Sequence, residues 1–169
     1  MSTLFYLMDA AVAGSSLAEA QRLNPRHLGL YKGRSAKALA AVAPYLFACE
    51  SGTPFGRWIR TRGWGRSWGI YCESEMDLPG LVHHFRKFLL VKDEKGKQLY
   101  FRYYDPRVIR TVLPVCDRDQ LKEFFGPVRG FVAEDADPDF ALRFTLQQGQ
   151  LRQERAAASG AGWLAPPAA

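Results

Sequence analysis

The sequence has no hydrophobic run long enough to cross a bilayer. The longest, Ala38 to Cys49, is interrupted by Pro44, whereas a spanning helix needs about 20 apolar residues. It also lacks the build of a secretion leader, because the apolar run at Leu4 to Met8 is cut by Asp9 and the first basic residue is Arg22. These absences predict a cytoplasmic protein with no membrane partner. Cysteine is scarce: Cys49, Cys72 and Cys116 are far apart, with no C-x-x-C pair and no histidine at ligand spacing, which predicts reduced, mostly buried thiols over a metal site. Catalytic signatures are missing too. There is no G-x-S-x-G elbow, P-loop, H-E-x-x-H or paired Cys–His arrangement. No catalytic residue, metal ligand or cofactor is therefore assigned, and the expectation is a protein that is not an enzyme.

What is present is a core. Hydrophobic residues make up 47% and aromatics 13% of 169 residues, enough for one globular domain rather than a disordered chain. The formal net charge of +6 and a pI near 9.4 leave room for an acidic partner, protein or nucleic acid.

The chain is organised around Gln98 to Pro114, QLYFRYYDPRVIRTVLP. Leu99, Phe101 and Tyr103 alternate with Tyr100, Arg102 and Tyr104, the period of a strand with one buried face. Asp105 then suits an N-cap, with Pro106 at the first helical position and Val108, Ile109 and Val112 as an apolar face. A strand, a turn and a short helix would put Arg102, Tyr104, Asp105 and Arg107 at a strand's carboxyl end, where α/β sheets carry their ligand crevices.

Upstream, Leu4 to Met8 reads as a strand covered on both faces, Leu17 to Leu23 as a helix ended by Asn24-Pro25, and Tyr45 to Cys49 as a second buried strand. Ser67 to Glu73 reads as a further strand. Asp77 to Leu89 is the clearest helix: at about 100° per residue its apolar side chains fall in one arc, with His83 and His84 expected on the solvent side. Asp117 to Gln120 has the form of a capping box before a short helix that Gly126-Pro127 stops. Val128 to Val132 and Phe140 to Gln147 suit an edge hairpin.

Thr53 to Trp68 carries Arg57, Arg60, Arg62 and Arg66 without an acidic residue, interleaved with Trp58, Trp64 and Trp68. Three readings fit. Phe55, Trp58 and Ile59 could turn inward on an amphipathic helix with the arginines solvated. The segment could be a protein interface, where Arg and Trp are enriched. It could also be a single-stranded nucleic-acid platform, with bases stacked on the rings; as a whole-protein function this is the alternative, and nucleic acid is the less expected partner.

The whole predicts an α/β protein of α+β character, a mixed β-sheet flanked by short helices. One domain, residues 1–148, precedes a flexible tail, residues 149–169, too rich in Gly, Pro and Ala to fold alone.

FRYYDPRVIRTVLP at Phe101 to Pro114 and FFGPV at Phe124 to Val128 follow, in order, LFYLMDAA at Leu4 to Ala11, AVAPYLFAC at Ala41 to Cys49 and the WG-rich run at Trp64 to Tyr71. In these five pieces, over roughly residues 4 to 130, the sequence resembles the type VI secretion effector adaptors, also called effector chaperones, a family long catalogued only as a domain of unknown function. The resemblance implies a non-enzymatic protein that holds a toxic effector and helps load it onto the secretion spike. Its partners would be the cognate effector, through that protein's N-terminal region, and the spike protein. The residues expected to meet a partner are Arg57, Trp58, Arg60 and Trp64 in the first segment, and Arg102, Tyr104, Asp105 and Arg107 in the second.

Overall fold

A computed structural model describes residues 1–160 apart from Ser51, together with Gly162. Its centre is β1 (Thr3–Asp9), whose unbroken apolar run has no solvent face to serve. Phe5 and Leu7 point into one core and Tyr6 and Met8 into another, so both sides of the sheet are covered.

Seven strands form the sheet in the order β2 (His27–Gly29), β3 (Pro44–Ala48), β1, β4 (Gly69–Ser74), β7 (Val128–Glu134), β8 (Phe140–Gln147) and β9 (Gln150–Ala157). Each of the six pairings is antiparallel, so the sheet is not mixed in direction, and the class is α+β. Strands β5 (Leu90–Lys92) and β6 (Gln98–Tyr100) make a separate two-stranded hairpin. The first core packs the sheet against α5 (Leu78–Arg86), α6 (Pro106–Val112) and α7 (Arg118–Phe125). The second packs it against α1 (Ala10–Ala13), α2 (Ser16–Leu23) and α4 (Pro54–Trp58). A short helix, α3 (Gly33–Ala38), follows β2.

Helix starts follow local chemistry. Asp77, Asp105 and Asp117 each accept an N–H of the first turn, and Asp117 with Gln120 completes a reciprocal capping box. Pro54, Pro79 and Pro106 sit in first turns, where the missing N–H leaves no bond unmade.

Three expectations change. The strand expected to run from Gln98 to Tyr104 ends at Tyr100. Leu99 and Tyr100 face solvent while Tyr103 and Tyr104 are both buried, a succession that an alternating strand cannot make. The chain turns instead, with the Asp105 amide donating to the Arg102 carbonyl at 2.9 Å. The pair β7–β8 is not an edge hairpin, because β7 pairs with β4 and β8 with β9. Residues 150–157, expected within the flexible tail, are strand β9. Gln148 and Gly149 both adopt positive φ, 52° and 78°, the requirement of a two-residue hairpin turn. β9 is polar because it faces solvent at the sheet's margin, with Arg155 over the Phe140 ring at 3.4 Å and bonded to Asp135 at 2.7 Å. The disorder expected for the last dozen residues concerns a stretch of which Ala161 and residues 163–169 lie outside the described part.

Candidate partner-binding site

The turn between β6 and α6 brings the second set of expected residues to the end of β1. Asp105 is almost fully buried; it caps α6 through the Arg107 amide at 2.9 Å and holds the Arg107 guanidinium by two bonds, 3.0 and 2.7 Å. Arg102 donates to Asp9 and lies 3.9 Å from Asp105. Asp9 is buried and also caps α1 by accepting the Ala11 amide at 3.0 Å. Two buried carboxylates thus sit beneath two half-exposed guanidinium groups. Burial pushes the Asp105 carboxyl up, but the Arg107 side chain and amide, with Arg102, outweigh it and hold it below the usual carboxylate range. The Arg102 guanidinium is held charged chiefly by its bond to Asp9.

Tyr104 joins from below. It is buried in the main core, and burial first, then Tyr31 and Asp9, push its hydroxyl well above its ordinary value. Tyr103, beside it, is fully buried and donates its hydroxyl to the Phe85 carbonyl at 2.7 Å. Of the four residues expected here, Arg102 and Arg107 reach the surface, Asp105 positions them, and Tyr104 supports them.

Asp9 and Glu134 were missed by the sequence reading. Asp9 reads there only as the residue that ends an apolar run, yet an acid directly after a buried strand and before two alanines is itself an N-cap signal. Glu134 ends β7 and is buried; its carboxylate accepts the amides of Gly65 and Ser67 at 2.6 and 2.8 Å and the Ser67 hydroxyl at 3.2 Å. Its backbone carbonyl accepts from Arg110 at 2.7 Å. One acid therefore ties the tryptophan–glycine loop to the sheet, and α6 to the same point.

The Arg/Trp-rich segment forms α4 followed by a π-helical turn, Ile59–Gly63. Phe55 and Ile59 are buried and Trp58 is half-buried, packed between Phe55 and Trp68 with ring centroids at 6.2 and 5.5 Å. Trp64 donates its indole N–H to the Pro138 carbonyl at 2.7 Å. Arg57, Arg60, Arg62 and Arg66 are exposed, and Arg57 bonds the Gly52 carbonyl at 2.6 Å. The segment is the amphipathic helix that its spacing allowed. Trp58 and Trp64 are partly buried and pack against the second core. The Trp68 carbonyl at the segment's end accepts the Asp9 amide at 2.7 Å, but among the described residues no side chain of the segment bonds to or ion-pairs with the Asp9–Arg102–Asp105–Arg107 cluster.

His84, expected on the solvent side of α5, is buried, whereas His83 is exposed. Docking of α7 covers it, and its Nε2 donates to the Phe124 carbonyl at 2.9 Å. Burial lowers its pKa and outweighs the bond to Phe124, which acts the other way, while the positive charge of Lys87 adds to the lowering. Cys49 and Cys72 are buried free thiols, the first pushed up to about 12 by burial. Among the described residues no group of three or more His, Cys, Asp or Glu side chains is placed to hold a metal ion, and no helix is long and apolar enough to cross a membrane.

Comparison with known proteins gives one match. The family model described as Domain of unknown function (DUF4123) matches residues 4–123, a span that contains α1 to α6, β1 to β6 and most of α7. No curated protein and no solved structure matches the chain.

Proposed function

Because this chain belongs to the family described as a domain of unknown function (DUF4123), its role has to be read from its residues, and we propose that it is a non-enzymatic adaptor. It holds a cognate type VI secretion effector, through that protein's N-terminal region, and helps load it onto the secretion spike. The observation that carries this reading is the contact between Arg102 and Asp9. It joins two of the motif pieces on which the resemblance to effector adaptors rests, LFYLMDAA and FRYYDPR. What those pieces build together is a braced surface. Each carboxylate has a guanidinium partner, so neither is left as a base. Each guanidinium has five N–H donors and spends only part of them inside the protein. The remainder face solvent in fixed positions, which suits the carbonyl and carboxylate groups of a bound polypeptide.

The test is co-expression with the toxin encoded beside it. The wild-type chain should give a soluble complex and the toxin alone should be insoluble or degraded. Arg107→Ala, which leaves Asp9 and Arg102 paired, should weaken co-purification while circular dichroism stays unchanged. Normal solubility and export of every neighbouring toxin after deletion of this chain would overturn the reading.

A further inference from the structure

The hairpin β5–β6 stands apart from the sheet, and all six of its strand residues are exposed. Leu90 opposes Tyr100 on one face and Val91 opposes Leu99 on the other, with exposures of 47%, 61%, 40% and 42%. A lone two-stranded hairpin is marginal in water, and one that shows apolar side chains on both faces has unsatisfied surface. The Leu90–Tyr100 face borders a groove of about 270 Å³ whose floor is the buried Leu30 and whose far wall is Leu39, past the end of α3.

The two stretches of chain that line this groove carry an excess of one charge. Residues 30–42 contain Lys32, Arg34 and Lys37 and no acid; residues 86–100 contain Arg86, Lys87, Lys92, Lys95 and Lys97 against Asp93 and Glu94. Eight cations against two carboxylates leave +6, and the entire chain carries +6, so the other residues sum to zero. Lys32 and Arg86 line the groove itself, and Lys92, two residues along the strand from Leu90, shares its face of the hairpin.

We propose that this groove and hairpin seat an acidic amphipathic helix of a partner protein, with leucine-sized side chains on its buried face and glutamate or aspartate at its margins. A second copy of this chain would bring +6 against +6. A flat bilayer would leave the groove between Leu39 and the hairpin unfilled. A nucleic acid would supply the charge but nothing for Leu90 and Leu39 to bury. Residues 156–169 of the chain itself contain no carboxylate side chain. Only the assignment of this helix to the effector rests on the adaptor reading.

The probe is a fluorescein-labelled helical peptide of about 18 residues, five turns, with leucines at i, i+3, i+4 and i+7 and glutamates flanking them. Saturable binding by anisotropy at physiological salt is expected, at least about tenfold weaker for the Leu90→Ser/Tyr100→Ser protein and for a peptide with lysine in place of glutamate. Both substituted residues are exposed, so the variant should keep the wild-type circular dichroism and melting curve. His83→Ala, on the exposed side of α5, should bind as wild type. No saturation, equal binding of the lysine peptide, or equal binding by the double variant would overturn the proposal. So would variant-sensitive self-association, or variant-sensitive binding to phosphatidylserine vesicles or to an oligonucleotide at the same salt. Co-expression with the neighbouring toxin separates the two ideas. If wild type retains no toxin while the peptide binds as expected, only the adaptor reading fails; if wild type and the double variant retain it equally, only the assignment of this groove fails.

Discussion

The Arg102 guanidinium donates to the Asp9 carboxylate across 93 positions of sequence, fastening the end of β1 to the turn that precedes α6. Asp9 is only 1% exposed. Without Arg102 its charge would keep one strong donor, the Ala11 amide. Arg102→Ala should therefore cost about 2 kcal/mol, less than a fully buried pair because the arginine is partly solvated. Asp9→Asn with Arg102→Ala should cost less than the sum of the single changes. Urea midpoints at neutral pH measure the cycle; additivity within about 0.5 kcal/mol would mean that the two residues are not coupled.

Asp105 serves two ends that substitution can separate. Asn at this position keeps an oxygen for the Arg107 amide, and so keeps the cap, but gives up the charge shared with Arg107 and Arg102. Asp105→Ala should be about 1 kcal/mol less stable than Asp105→Asn. Since the folded carboxyl is held below its unfolded value, its charge stabilises the protein above about pH 4. That contribution is lost as pH falls through the folded value. The Asn variant should therefore lose less stability than wild type in acid, and parallel acid titrations would contradict this account.

Much of this arrangement is legible in the sequence, and what is not has physical reasons. β1, β3, β4, α5, α7 and the Asp105 cap follow from local periodicity and capping chemistry, which act within a turn or a strand. The strand at Gln98 to Tyr104 misleads because Phe101 and Tyr103 keep the period of two while Tyr104 turns inward as well. His84 lies about 60° around the helix from Leu81, near the edge of the apolar face, so a neighbouring helix, not the periodicity of α5, decides its burial. β9 carries almost no apolar signal, and only the Gln148-Gly149 turn foretells it. The pairing of Arg102 with Asp9 depends on tertiary placement, which no local pattern encodes. In the Arg/Trp-rich segment composition could not show which way the rings turn, because the inward packing of Trp58 and Trp64 depends on Phe55, Trp68 and Pro138.

Gly69 opposes Met8 where β4 pairs with β1. A β-carbon placed there would lie 1.9 Å from the Leu7 carbonyl oxygen, backbone that cannot move without opening the central pairing. Gly69→Ala should cost at least about 3 kcal/mol, the upper range for overpacking, and lower the yield of folded protein. A melting temperature within a few degrees of wild type would show that the sheet can yield there.

His84 should impose a pH dependence of predictable sign. Its Nε2 proton is given to the Phe124 carbonyl, and burial favours the neutral ring. The folded pKa therefore lies below the unfolded value of about 6.5. Above that pH neither state is protonated at this site and its full contribution is present. As pH falls through about 6.5 the unfolded chain takes up its proton first, so stability declines until the folded pKa is passed. His84→Gln can keep an N–H donor for Phe124 without the titration. The difference between wild-type and His84→Gln stabilities, from urea melts between about pH 5 and 8, should favour wild type least at the acid end. His83→Gln, altering an exposed ring on the same helix, should leave the wild-type profile in place. A difference that is flat with pH, or that grows toward acid in favour of wild type, would show that the His84 ring accepts its proton without leaving the carbonyl.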